Sequence, residues 1–206
     1  MPDTSRINGI SRGDRASLAL TIGGGIVAGV VTIVLLAQRI LEIVPNRDVP
    51  VPAQFIQTPA ELPIGPGGSL VAVSVDEATI RVSDMPGITV FALVASAIVT
   101  AVTICAILAC VCLFCRNLIR GEAFSRANIR LVMIAAMTIM IGWAVGNLFA
   151  WISLNGAFAA LSEHGYDNPI FLSFTPTPLF VAIALGAIGV AFQIGAKLQR
   201  ETEGLV

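Results

Sequence analysis

The sequence predicts an all-α integral membrane protein: four transmembrane helices, with a small extracytoplasmic β-hairpin segment between helices 1 and 2. Three observations predict it. Hydrophobic residues make up 56% of the 206 residues and charged residues 12%, against roughly a quarter charged in an average soluble chain. The mean hydropathy is +0.88. Four long windows carry no charge: 23 residues between Arg15 and Arg39, 31 between Asp84 and Arg116, 32 between Arg130 and Glu163, and 29 between Asp167 and Lys197. A spanning helix needs about 20 apolar residues, so each window holds one helix and none holds two with a turn.

The helices are expected at 16–38, 88–115, 129–153 and 177–198. Residues 1–15 and 199–206 form the tails, 39–87 the β-rich segment, 116–128 a basic hairpin loop and 154–176 a second loop. Cations orient the chain. Nine of twelve Lys and Arg residues lie in the tails and the 116–130 region, whereas Arg39, Arg47 and Arg81 share the other side with eight of thirteen acids. The positive-inside rule then puts both termini and the basic loop in the cytoplasm of a cell membrane. The first apolar stretch exceeds the roughly 7–15 residues of a signal-peptide core, and no clean small-x-small site follows it, so it reads as a retained helix.

In the 39–87 segment, the prolines of VPNRDVPVPAQF forbid helix and favour extended chain. PIGPGG carries turn chemistry. SLVAVSVDEATIRVSD alternates apolar residues at Leu70, Val73, Val75, Ile80 and Val82, which predicts two short strands turning at Asp76-Glu77-Ala78. A lone hairpin is marginal in water. It is expected to pack on the outer loop, on the 49–56 stretch, or on a partner.

Composition and motifs exclude more chemistry than they suggest. A net charge of -1 offers no basic excess for a nucleic-acid backbone. Cys105, Cys110, Cys112 and Cys115 resemble a ligand cluster, but at 100° per residue Cys110 and Cys112 fall on opposite helix faces, while Cys105, Cys112 and Cys115 share a stripe. A packing role is expected for them, with Cys115 beside Arg116 the thiol to test for reactivity. His164, flanked by Glu163 and Asp167, reads as solvated loop chemistry. No catalytic residue, cofactor or metal site is expected. No span has Asp, Glu, Lys or Arg near its centre, which argues against a self-sufficient ion-coupled transporter. Gly25-x-x-x-Gly29, Gly142-x-x-x-Gly146 and the Gly186/Gly189 pair suit close helix packing. Trp143, Asn147 and Trp151 recur at i, i+4 and i+8 as a packing or ligand stripe.

The basic connection reads CRNLIRGEAFSRANIRL. Gly121 can end the second helix in a left-handed cap, and Ser125 can cap the start of the third. Phe124 can fold back between them. Arg116, Arg120, Phe124, Arg126, Asn128 and Arg130 are the candidate partner-docking residues, with lipid headgroups the plainer partner of the arginines. The run Arg120-Gly121-Glu122-Ala123-Phe124 followed by Asn128 resembles the GxxF-xxx-N hairpin of a bacterial four-helix family catalogued as domain of unknown function 2975. That family also has a β-rich outer segment opening with a Val-Pro pair, as at Val49-Pro50-Val51-Pro52. The resemblance extends over about residues 15–200. It brings no activity and no catalytic residues, and it implies a small helix-turn-helix regulator as a cytoplasmic partner. The expected function is a non-enzymatic sensor or scaffold acting through protein partners, a membrane partner or a second copy among them. A transporter accessory subunit is the alternative, with a groove lined by Asn147, Thr100, Thr103 and Thr138. A thiol-redox role comes third.

Overall fold

The computed structural model describes residues 11–122, 125–161 and 175–203. In chain order these form α1 (Arg12–Ile43), β1 (Val49–Leu62), a single 3-10 turn (Pro66–Gly68), β2 (Val71–Val82), α2 (Gly87–Ile119), α3 (Arg126–Leu161) and α4 (Thr177–Glu203). All four helices are long and apolar enough to cross a membrane. They run beyond the charge-free windows because a charged residue at a helix end is solvated without interrupting the backbone ladder. The chain divides into a helical unit (α1 up to residue 36, residues 99–144 and α4) and a hairpin unit (residues 37–98 and the rest of α3).

In the helical unit, α1 touches its neighbours along a narrow seam. Leu18, Ile22, Gly25, Gly29, Thr32 and Leu36 are half-buried, and every other residue from 16 to 36 is exposed. Their alternating spacing of four and three is the 3.5-residue repeat that keeps one stripe against a partner helix. At Gly25 the partner is α2. A Cβ there would sit 2.7 Å from Cys112 Sγ, and that thiol donates to the Ile22 carbonyl at 3.8 Å. Phe114 of α2 and Phe192 of α4 stack in a tilted pair with centroids 5.9 Å apart. A Cβ on Gly189 of α4 would lie 3.0 Å from Met133 Sδ of α3.

The contact between α2 and α3 in this unit rests on Gly142, whose missing side chain leaves room for Thr103. The hairpin unit repeats the device two heptads away on each helix, where Gly156 receives Thr89. Thr89 is fully buried, and its hydroxyl has no hydrogen-bond partner among the described residues. It lies against the Gly156 backbone, the arrangement of a weak Cα–H···O contact between close helices.

The hairpin unit is built on alternation. Val49, Val51 and Ala53 of β1 and Val82 of β2 are buried with Ile43, Met85, Leu93, Leu154, Ala157 and Phe158. Phe55 meets Phe158 edge to face at 5.9 Å. β1 and β2 form one long antiparallel ribbon, from Val49 opposite Val82 to Leu62 opposite Val71, with an irregularity between Gln54 and Thr58. This corrects the expected short hairpin. Asp76, Glu77 and Ala78 lie mid-strand, and Glu77 pairs across from Gln54. The true turn is PIGPGG, where Gly67 and Gly68 take φ of +69° and +81°; Asp-Glu-Ala has no glycine to take two such angles in succession. VPVPAQF serves as a strand because its prolines alternate onto the side that needs no N–H.

The third helix also corrects an expectation. It continues to Leu161 because Ser153, Leu154, Ala157 and Phe158 have a core to enter. At the base of the ribbon Asn46, at φ +51°, clamps the two corners together. Its side-chain amide donates to the Met85 carbonyl at 2.9 Å and its Oδ1 accepts from the Met85 N–H at 3.1 Å. Its own carbonyl accepts from the Asp84 N–H at 3.1 Å.

Overpacking the two α2–α3 glycines is the direct test of this seam. Gly142→Ala and Gly156→Ala are each expected to destabilise the protein by about 1–3 kcal/mol, read as a lower melting temperature in detergent. Gly23→Ala and Gly24→Ala, whose added Cβ meets nothing within 4 Å, are expected to leave it unchanged or raise it, because alanine favours helix by ~1 kcal/mol.

Candidate functional site

The basic hairpin between α2 and α3 is held at both flanks by hydrogen bonds. Its geometry begins at Gly121, with φ +82°. The Glu122 N–H donates to the Asn117 carbonyl at 3.0 Å and the Gly121 N–H to the Leu118 carbonyl at 2.8 Å. That pair of bonds is the Schellman termination, which satisfies carbonyls the helix end leaves open. Ser125 then caps α3, its Oγ accepting the Asn128 N–H at 3.2 Å.

Asn128 ties the turn together. It is fully buried. Its Oδ1 accepts from the Asn117 amide at 2.8 Å, and its own amide donates to the Glu122 carbonyl at 2.9 Å. One side chain thus joins the last turn of α2, the loop and the first turn of α3. Buried amides are costly unless bonded, so this network favours one placement of the two helix ends. Asn128 shapes the hairpin from within rather than offering itself at the surface. Asn117, absent from the sequence expectation, is its partner. The signal was a second asparagine at the end of an otherwise apolar helix.

On this frame Arg116 and Arg120 stand one turn apart on α2, and Arg126 and Arg130 one turn apart on α3. All four are exposed, and among the described residues none has an ion-pair partner. Two of the three cations of the hairpin unit differ, while Arg47 is exposed with no ion-pair partner among the described residues. Arg39 bonds Glu42 Oε2 at 3.0 Å and the Pro50 carbonyl at 2.7 Å, and Arg81 bonds Asp48 Oδ2 at 2.7 Å. Phe124 lies outside the described residues, as do His164, Glu163 and Asp167.

The other motifs are distributed rather than gathered. Trp143 belongs to the helical unit and Asn147 and Trp151 to the hairpin unit; the first two are half-buried, and Trp151 is 47% exposed. Cys110 and Cys115 are buried and Cys105 and Cys112 half-buried, all as free thiols. Cys112 is occupied by its contact with α1. Thr103, assigned to a groove by the transporter alternative, is seated on Gly142.

Removing the Asn128 amide is expected to cost about 1–3 kcal/mol, because half-buried Asn117 loses its acceptor and the Glu122 carbonyl a donor. Asn128→Ala should therefore melt earlier than the parent, and limited proteolysis should cut faster between Arg120 and Arg126. Equal cleavage rates would show that the amide network does not hold the turn.

No protein-family model, curated protein or solved structure matches the chain.

Proposed function

We propose that the chain is a multi-pass protein of a bacterial cell membrane, with both termini and the arginine hairpin in the cytoplasm and the β-ribbon outside. It acts as a non-enzymatic scaffold or sensor, and its docking point for a cytoplasmic protein is the hairpin. One observation carries this reading. Four arginines without ion-pair partners among the described residues stand at two helix ends that a buried asparagine ties together. Preorganised helix ends lose little entropy on binding, which is what a docking surface requires. Guanidinium groups favour a partner with surface carboxylates, which they bond in a bidentate manner. The cation asymmetry along the sequence supports the orientation. The resemblance to the four-helix family supports a small helix-turn-helix regulator as the partner.

Two measurements test it. Single cysteines at Asp76 and at Arg120 should react with a membrane-impermeant thiol reagent from opposite sides, Asp76→Cys in intact cells and Arg120→Cys only after permeabilisation. Reaction of both from outside would overturn the orientation. In gentle affinity purification from native membranes, the parent should retain a stoichiometric soluble protein that the R116Q/R120Q/R126Q/R130Q variant loses while keeping the parental melting temperature. Equal retention by the two proteins, or a parent that purifies alone, would overturn the docking role.

A further inference from the structure

The two edges of the β-ribbon are treated differently. In an antiparallel ladder, a residue's N–H and carbonyl point to the same side, alternating toward the partner strand and away from it. The Pro50 carbonyl accepts from Arg39 Nη2 at 2.7 Å, so position 50 faces away from β2. Pro52, two residues on, does the same. At both places the outward N–H is missing because the residue is proline, and at Pro50 the carbonyl is already bonded. Pro59 blunts the same strand further along, opposite Ser74. These are the devices by which natural sheets close an edge to strand pairing.

β2 has neither proline nor a guanidinium-bonded carbonyl among the described residues, and its edge carries the charges of Glu77 and Arg81 instead. Arg81 and Thr79 lie opposite Pro50 and Pro52, and Glu77 lies opposite Gln54, so the backbone groups of all three face outward from the ribbon. All three residues are exposed, and no backbone bond outside the ladder reaches them among the described residues. One edge of the ribbon is closed and the other is open.

The open edge is complementary to itself. When two copies of β2 run antiparallel about a two-fold axis at Thr79, Thr79 faces its own counterpart. Glu77 of each copy then faces Arg81 of the other. Each of these three pairs directs its N–H and carbonyl groups across the junction, which is the condition for two backbone hydrogen bonds per pair. Threonine pairs and opposite-charge pairs directly across strands are both favourable. Arg81 is available, because its present pair with Asp48 is 64% and 67% exposed at the side chains, and such a surface pair contributes little. We propose that the β2 edge is an interface for a second copy of this chain, joining two ribbons into one four-stranded sheet centred on Thr79. The proposal is independent of the docking role of the arginine hairpin.

Symmetry makes the test direct. Thr79→Cys in the full-length chain should form an intermolecular disulfide in native membranes under mild oxidant, because directly opposed residues in a hydrogen-bonded antiparallel pair stand about 5.5 Å apart at Cα. The parent, whose four thiols lie within α2, is the blank. Thr79→Pro removes only an outward N–H, as Pro52 does opposite it, and should lower dimer affinity by about tenfold or more by mass photometry with an unchanged circular-dichroism spectrum. Glu77→Arg should also weaken the dimer by opposing Arg81, and the E77R/R81E exchange should restore it. No Thr79→Cys disulfide above the parent, or a dimer fraction unaffected by Thr79→Pro, would overturn the proposal. A disulfide that survives E77R without loss would overturn the register.

Discussion

The close approach of α2 to α3 is the contact on which most of this architecture depends. In each unit it has the same form: a glycine on α3 and a threonine on α2, Gly142 with Thr103 and Gly156 with Thr89. The threonines are two heptads apart, and so are the glycines. Asn117 and Asn128 stand a further two heptads from Thr103 and Gly142, and there they bond to each other. A fourteen-residue repeat of small and hydrogen-bonding residues therefore sets the antiparallel register. Apolar side chains cannot do this alone when every face of a helix is apolar, because greasy surfaces slide past one another with little preference. Removing a Cβ lets backbones approach, and van der Waals contact then selects one register.

The same contact determines what happens beyond it. At the turn, the asparagine pair joins the ends of α2 and α3, with Gly121 left-handed on one side and Ser125 as a cap on the other. In the hairpin unit, Gly156 brings α3 near enough to α2 for Leu154, Ala157 and Phe158 to join Leu93 in one core, and the inward face of the ribbon completes it. Asn46 then holds the two corners of the ribbon together.

Charge is handled differently along the chain. In the hairpin unit Arg39 and Arg81 bond neighbouring acids at the surface, while Arg47, Arg116, Arg120, Arg126 and Arg130 are exposed with no ion-pair partner among the described residues. The acid nearest the loop arginines in sequence, Glu122, forms no ion pair among the described residues, the first turn of α3 has no acid, and Asp14 in the first turn of α1 is engaged with the Ser11 cap. The β-ribbon shows the same contrast in backbone groups, with one edge closed by proline and guanidinium and the other left to pair.

Much of this was determined by the sequence alone. Charge-free windows locate the four helices because a charge in a long apolar segment is too costly to be accidental, and Gly121, Ser125 and the prolines of the 49–56 stretch act through local backbone geometry. Local patterns fail where partners are distant in sequence. Asp76-Glu77-Ala78 looked like a turn because its neighbours alternate on both sides, yet pairing with a proline-bearing strand more than twenty residues earlier made it mid-strand. The third helix outran its expected end because a core existed for Phe158 to enter. Asn128 was read as a surface residue; only the approach of Asn117 from the other helix buries it. Composition and local geometry decide which segments become helix or strand. Which polar groups are spent inside and which are left open is decided by contacts between segments, and those form only when the chain has folded.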